Sequence, residues 1–337
     1  MARLPRTAHR QPLSLLCCLL LAIALGCSPA SQPETPTPSK PLQAPSEPPR
    51  ASQPETRAPA PPKAPNPAPV VERAETEEPS QDETPSPNRV RVYLLAGQSN
   101  MNGHGFLDRL PEPWPERHEL PVRIHWDQPG RRWDAGGRRE LKPLGPASLI
   151  RGRFGPELSL GKRLAARTPG ERLVLLKYAM HWTSLSHDWR PGPRRRGPMY
   201  RRFLHIVRQG LEAIRAEGGE PELVAMFWMQ GERDAAERHG AQHYRRNLAR
   251  FIVQVRRDLA APEMIFVIGQ ISGPKLPRLK QVREAQAEVA RTSPGVRLVD
   301  TEGLPLMFDR LHFNAQGQWG LGERFAAALE ERRPTPP

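Results

Sequence analysis

The chain has 337 residues, 41 of them proline, and a formal net charge of +14. Its three cysteines, Cys17, Cys18 and Cys27, lie near the amino terminus, so the remaining chain can form neither a disulfide nor a cysteine metal site. The first 26 residues contribute +3 and residues 28–88 contribute −4, which leaves +15 for residues 89–337 and favours either an anionic neighbour or a solvated, arginine-rich surface.

The first 27 residues are predicted to be an export signal. Three arginines precede an apolar run, Leu13–Leu25, that is too short to span a bilayer comfortably. The run ends in Gly26-Cys27, a small residue before a cysteine, which resembles a bacterial lipobox. The resemblance implies that Cys27 becomes lipid-modified and that the protein is an exported lipoprotein anchored to a membrane of the bacterial cell envelope. The alternative is ordinary signal cleavage nearby, with Cys27 incidental.

Residues 28–88 are predicted to be a disordered linker. Proline, serine, threonine, alanine and glutamate dominate it, and apolar side chains larger than alanine are nearly absent. Such a segment cannot bury enough surface to offset the entropy lost on ordering. Because repeated prolines favour extended polyproline II stretches, we expect it to act as a semi-stiff spacer.

The folded domain is predicted over residues 89–333, where apolar, β-rich runs alternate with amphipathic helical runs. The strand candidates are Val90–Ala96, Leu173–Ala179, Leu223–Met229, Ile265–Gln270 and Val296–Asp300. The helix candidates are Glu157–Arg167, Met199–Glu217, Gln242–Leu259, Leu279–Arg291 and Ala315–Glu331. This alternation predicts an α/β fold, with a parallel sheet covered by helices on both faces. In such sheets the site lies beyond the carboxyl ends of the strands.

Two short segments carry residues suited to nucleophilic chemistry. Ser99 follows the first predicted strand, within Gly97-Gln98-Ser99-Asn100-Met101, where a sharp turn would expose its hydroxyl. Near the other end of the domain, Asp309 precedes His312 by three residues, a spacing at which a carboxylate can hold an imidazole in one tautomer. Taken singly, such a serine is more often a helix cap, and such an Asp and His are more often surface polar groups.

Together with Gln230-Gly231-Glu232 and Asp234, these segments resemble the SGNH hydrolases. Specifically, they resemble the sialate O-acetylesterase-like and acetylxylan esterase branch, which is similar to carbohydrate esterase family 6. The resemblance covers nearly all of residues 89–333, with the motifs in the family's order. It implies a flavodoxin-like three-layer α/β/α fold with a five-stranded parallel sheet. It also implies a serine esterase that removes acetyl groups from carbohydrate hydroxyls without a metal or cofactor.

The resemblance also implies roles for individual residues. Ser99 would be the nucleophile, His312 the general base and then acid, and Asp309 the carboxylate that orients the histidine. The oxyanion would be held by the backbone N–H groups of Ser99 and Gly155 and by the side-chain amide of Gln230. Gly155 has the alternative of being a plain turn glycine.

Five further residues are candidate substrate contacts: Gln98, Asn100, His181, Trp182 and Glu232. For Glu232, bracing of its loop is favoured over substrate contact, because a second acid would oppose the charge of the oxyanion. His181 and Trp182 stand where the family usually has two glycines. Bulky side chains there would narrow the pocket or force another backbone path, although Trp182 has a ring suited to stacking on a sugar.

Two rival functions remain open at this stage. One is a transferase that passes the acetyl group to another sugar with the same residues. The other is a non-catalytic, glycan-binding lipoprotein whose His181-Trp182 loop has closed the site. Nucleic-acid binding is disfavoured, since no recognition motif accompanies the charge and the export signal argues against it. The arginine run 194–196 is interpreted as a solvated surface, and the oligomeric state is left open.

Overall fold

The computed structural model describes residues 88–114, 120–126, 140–192 and 196–330. The predicted export signal with Cys27, and the predicted linker up to residue 87, lie outside these residues. Within the described ranges, no helix has the length and apolar character needed to cross a membrane.

The elements alternate along the chain as the sequence pattern indicates. The strands are β1 (Arg89–Gly97), β2 (Gly105–Phe106), β3 (Val122–Trp126), β4 (Lys142–Pro143), β5 (Arg153–Phe154), β6 (Arg172–Ala179), β7 (Glu220–Met229), β8 (Ile265–Gly269) and β9 (Val296–Val299). The helices are α1 (Ser99–Asn102), α2 (Glu157–Arg167), α3 (Pro198–Ala216), α4 (Glu232–Ala236), α5 (Arg238–Asp258), α6 (Leu279–Thr292) and α7 (Ala315–Ala327), with one 3-10 turn at Leu107–Arg109.

The central sheet has the order β4-β3-β6-β1-β7-β8-β9. Its neighbours pair in parallel except β4, which runs antiparallel to β3 at the edge. The predicted α/β class with a mostly parallel sheet is therefore confirmed. The strand number is not: among the described residues the sheet has seven strands rather than five. The added strands, β3 and β4, are short and lie outside the long apolar runs, so they gave a weak signal.

Helices cover both faces of the sheet, and neighbouring residues of β7 show how. Successive side chains of a strand point to opposite faces. Trp228 packs against Phe251 of α5, with ring centroids 4.5 Å apart. Phe227 packs against Phe325 of α7, at 5.2 Å. The arrangement is thus three-layered, and β1 at the sheet's centre is apolar on both faces, which explains its continuous buried run Tyr93–Ala96.

Candidate active site

The carboxyl end of β1 presents Ser99 at the edge of the sheet. In the pairing register, Gly97 lies opposite Ala179 of β6 and Met229 of β7. Its φ is 151°, and a Cβ placed there would lie 2.0 Å from the Met229 carbonyl oxygen, so only glycine fits. The chain turns directly from this glycine into α1, with Ser99 as its first residue.

Three side chains form a continuous hydrogen-bonded series at this edge. The Ser99 hydroxyl lies 3.0 Å from His312 Nε2, and His312 Nδ1 lies 2.7 Å from Asp309 Oδ2. Because Nδ1 faces a carboxylate, the neutral ring carries its proton there and offers Nε2 as an acceptor to the serine. The arrangement is suited to removing the hydroxyl proton as the oxygen attacks an electrophile.

A tight loop between β9 and α7 holds the Asp309–His312 pair. Leu306 and Phe313 form an antiparallel bridge across it. Asp309 Oδ1 accepts the N–H groups of Leu311 and His312, at 2.9 and 3.0 Å. Partial burial would raise the pKa of the Asp309 carboxyl, but its hydrogen bonds with His312 and Leu311 outweigh that effect and lower the pKa. Asp309 is therefore ionised and fixed in place.

Asn100, a candidate substrate contact, is instead a buried brace. Its Nδ2 donates to Glu232 Oε1 at 2.8 Å and to the Leu311 carbonyl at 3.1 Å, and its Oδ1 accepts the Phe313 N–H at 3.0 Å. The last two of these bonds hold the backbone of Leu311 and Phe313, the residues on either side of His312. Asn100, adjacent to the nucleophile, thereby ties the histidine loop to α1.

Gln98 and Glu232 are also fully buried. Gln98 Oε1 lies 3.3 Å from the Gly231 N–H and 3.4 Å from the Arg233 N–H, so it caps the start of α4. Neither Gln98 nor Asn100 is accessible to a substrate in this structure, because both side chains are fully buried. The preference for bracing at Glu232 agrees with its position.

Gln230 does not serve as the predicted oxyanion donor in this structure. Its Nε2 donates to the Thr183 carbonyl at 2.9 Å and to Asp234 Oδ2 at 2.7 Å, which occupies both amide hydrogens. The same Asp234 carboxylate accepts the Leu185 N–H at 2.8 Å. Gln230 and Asp234 thus tie the loop after β6 to the end of β7.

The backbone N–H of Gly155, another predicted oxyanion donor, is likewise already hydrogen-bonded. It donates to Glu157 Oε1 at 3.0 Å, and Glu157 forms a buried ion pair with Lys177 at 2.6 Å. A Cβ on Gly155 would lie 2.7 Å from Glu157 Oε2 and 2.9 Å from Lys177 Nζ, so close packing requires the glycine. Of the three predicted oxyanion donors, only the N–H of Ser99, in the first turn of α1, has no hydrogen-bond partner among the described residues.

The loop after β6 keeps a glycine-like backbone at Trp182. The φ of Trp182 is 51°, in the left-handed region that favours glycine, and its side chain is 47% exposed. The Arg233 guanidinium lies 5.3 Å from the centroid of the Trp182 ring. Unlike the buried candidates, Trp182 therefore presents its ring to solvent. Its neighbour His181 points inward, with Nε2 3.1 Å from Asn102 Nδ2.

His104 was missed by the sequence analysis. It lies five residues after Ser99, and its ring stacks on that of His312, with centroids 3.9 Å apart and planes 12° from parallel. Burial, followed by the nearby His312, lowers the pKa of His104 to about 3. The one signal was its place just beyond the serine motif, between Gly103 and Gly105.

Among the residues that the structure describes, the site shows no arrangement for a metal ion. In the described part of the chain, no group of three or more His, Cys, Asp or Glu side chains is arranged to hold one.

Comparison with known proteins assigns the chain to a family. The model of a family described as carbohydrate esterase, sialic acid-specific acetylesterase matches residues 89–331. The chain belongs to this family. The resemblance to sialate O-acetylesterase-like carbohydrate esterases inferred from the sequence is therefore confirmed, and the protein is a carbohydrate esterase.

Relatives of this carbohydrate esterase match about 70% of the chain. It is 31% identical over 252 residues to a probable carbohydrate esterase of Arabidopsis thaliana, covering 72% of this chain and 90% of the relative. The solved structure of that Arabidopsis protein has a TM-score of 0.57 at 25% identity, covering 73% of this chain and 99% of that one.

Two solved structures at lower identity share the fold. NanS has a TM-score of 0.50 at 15% identity, covering 73% of this chain and 98% of its own. A carbohydrate acetylesterase from Xanthomonas citri has a TM-score of 0.51 at 19% identity, covering 71% of this chain and 55% of that one.

Proposed function

We propose that this carbohydrate esterase is a serine O-acetylesterase, with Ser99 as nucleophile, His312 as general base and acid, and Asp309 as the orienting carboxylate. The observation that carries the proposal is the unbroken series Asp309–His312–Ser99, with separations of 2.7 and 3.0 Å. Membership of a carbohydrate esterase family supports the substrate class.

In the first step, the Ser99 oxygen attacks the carbonyl carbon of an acetylated sugar while His312 Nε2 takes the hydroxyl proton. The carbonyl π electrons move to oxygen, and the free N–H of Ser99 is positioned to donate to that oxyanion. The ester C–O bond then breaks, and His312 returns its proton to the departing sugar oxygen. The products of this step are a free sugar hydroxyl and Ser99 carrying the acetyl group.

In the second step, water replaces the sugar. His312 takes a proton from water as its oxygen attacks the acetyl carbonyl, and the bond to the Ser99 oxygen breaks. The proton on His312 passes to the Ser99 oxygen, which restores the free enzyme, and acetic acid leaves and ionises to acetate and a proton. Asp309 remains ionised throughout and stabilises the imidazolium formed in each step.

Trp182 is the proposed contact for the sugar. Its exposed ring lies on the loop that also carries His181, and His181 contacts Asn102 of α1, at the base of the site. An aromatic face offers broad apolar contact to the C–H face of a pyranose. The left-handed backbone at Trp182 costs about 1 kcal/mol relative to glycine, a cost that a binding role would explain.

Acetate release from a panel of O-acetylated glycans tests the proposal, with acetylated xylan, sialic acid and peptidoglycan as substrates. We expect the wild type to release acetate from at least one, and Ser99→Ala to release none from the same substrate. Failure of the wild type on every carbohydrate ester would contradict the proposal. Adding an acceptor sugar tests for transfer: acetylated acceptor in place of free acetate would identify a transferase instead.

A further inference from the structure

His104 lies against the proposed general base without taking part in the steps above. Its ring covers one face of His312 in a near-parallel stack. Its backbone is held by β5, since Arg153 Nη1 donates to the His104 carbonyl at 2.5 Å. The segment that carries the stacked ring is therefore anchored through its backbone.

The protonation of His104 can be traced from Asn102. Asn102 Oδ1 accepts the Leu149 N–H at 3.0 Å, which fixes the orientation of the amide. Its Nδ2 consequently faces Ser148 Oγ at 3.0 Å and His181 Nε2 at 3.1 Å. Because an N–H group points at it, His181 Nε2 carries no proton, and His181 is neutral with its proton on Nδ1.

The same reasoning extends one ring further. His181 Nδ1 faces His104 Nε2 at 3.5 Å, a long hydrogen bond. With its proton on Nδ1, His181 is the donor, so His104 accepts at Nε2 and is also neutral. Asn102, His181 and His104 thus form one directed series that ends at the face of His312.

The charged groups around His104 favour the same state. Burial, followed by the nearby His312, His181 and Arg153, lowers the pKa of His104 to about 3, although Asp309 opposes the change. Burial, followed by His312, also lowers the pKa of His181. Of the three clustered imidazoles, His312 alone is left to carry the proton taken from the serine.

We propose that His104 is a positioning residue for His312: its neutral ring covers one face of the His312 ring and keeps it in the orientation that joins Asp309 to Ser99. The inference rests on the proposed role of His312. A neutral ring suits this task, because a cation at the same place would repel the imidazolium that forms during each step. A stacked aromatic pair is worth enough to change a rate about three- to tenfold.

Three variants test the kinetic part. His104→Ala removes the stack, His104→Phe restores a flat uncharged ring, and His239→Ala changes an exposed histidine on α5 as a matched control. On a substrate that the wild type cleaves, we expect His104→Ala to lower kcat about three- to tenfold with KM unchanged. His104→Phe should recover most of the loss, and His239→Ala should match the wild type. Equal loss in Ala and Phe variants would overturn the proposal.

Two further measurements need no substrate, so they separate this inference from the proposed function. Imidazole ¹⁵N NMR should show His104 neutral, with its proton on Nδ1, at a pH of about 5, well above its lowered pKa. Labelling of Ser99 by a fluorophosphonate should slow in His104→Ala by the same factor as kcat. A protonated His104 at that pH, or unchanged labelling, would overturn the positioning role even if esterase activity is found. Absence of carbohydrate esterase activity with normal labelling would instead count against the proposed substrate class.

Discussion

Glu232 is expected to make stability fall as the pH rises, and Glu232→Gln should remove that fall. The side chain is fully buried, with Oε1 accepting from Asn100 and Oε2 lacking a partner among the described residues. Burial raises its pKa from 4.5 to about 7, although the Asn100 hydrogen bond opposes the change. At about 1.4 kcal/mol per pKa unit, this difference corresponds to about 3 kcal/mol of unfolding free energy.

The sign follows from which state holds the proton. Below a pH of about 4.5, Glu232 is neutral in both the folded and the unfolded chain, so it does not lower the free energy of unfolding. Between 4.5 and about 7 the unfolded chain ionises while the folded chain keeps its proton, so stability is lost progressively as the pH rises. Above about 7 the penalty is complete, because both states are then ionised. A glutamine keeps the acceptor for Asn100 and does not titrate.

Chemical denaturation of both proteins across this pH range measures the effect. The unfolding free energy of Glu232→Gln should equal that of the wild type near pH 4.5 and exceed it by up to about 3 kcal/mol near pH 8. Glu284→Gln, an exposed glutamate on α6, is the matched control and should show no such pH-dependent gain. A constant difference between wild type and Glu232→Gln at all pH values would refute the reasoning.

Three other changes should act in distinct ways. Lys177→Met leaves Glu157 unpaired and buried, so denaturation should show a loss of about 3–5 kcal/mol, whereas Lys280→Met at an exposed position should show none. Trp182→Gly and Trp182→Ala should both raise KM. In thermal unfolding the glycine variant should be more stable than the alanine variant by about 1 kcal/mol, because alanine retains the left-handed backbone strain. Equal stability of the two variants would contradict this prediction. Cys27→Ser should move the protein from the membrane fraction to the soluble fraction if Cys27 carries a lipid; a wild type with unmodified Cys27 would exclude the anchor.

The elements that the sequence analysis located were those with long, regular patterns. Helix α2 was placed at its observed bounds, and strands β1, β6, β7, β8 and β9 were found because their apolar, β-rich runs alternate with amphipathic helical runs. Strand β3 was missed because it has only five residues, in which Arg123 and His125 interrupt the apolar side chains. Ser99 was recognised from the short motif Gly97–Met101, and Asp309 and His312 were recognised from their spacing of three residues.

The roles that depend on contacts between loops were not predictable in the same way. Gln230 was expected to face the oxyanion, but its amide donates to Thr183, in the loop after β6, and to Asp234, in α4. The residue type and its position after a strand do not reveal which acceptors the side-chain amide will hydrogen-bond in the folded protein. His104 was missed for the related reason that its stack with His312 joins segments over 200 residues apart in the chain.

The central claim, that Ser99 is the nucleophile of a carbohydrate O-acetylesterase, is tested most directly by trapping the acetyl-enzyme. Wild type and Ser99→Ala are mixed with an acetylated sugar that the wild type cleaves, quenched in acid and mapped by peptide mass spectrometry. The predicted result is one acetyl group on the peptide containing Ser99 in the wild type, with neither acetylation nor acetate release in Ser99→Ala. Acetate release by Ser99→Ala at the wild-type rate, or an acetyl group mapped to another residue, would contradict the claim.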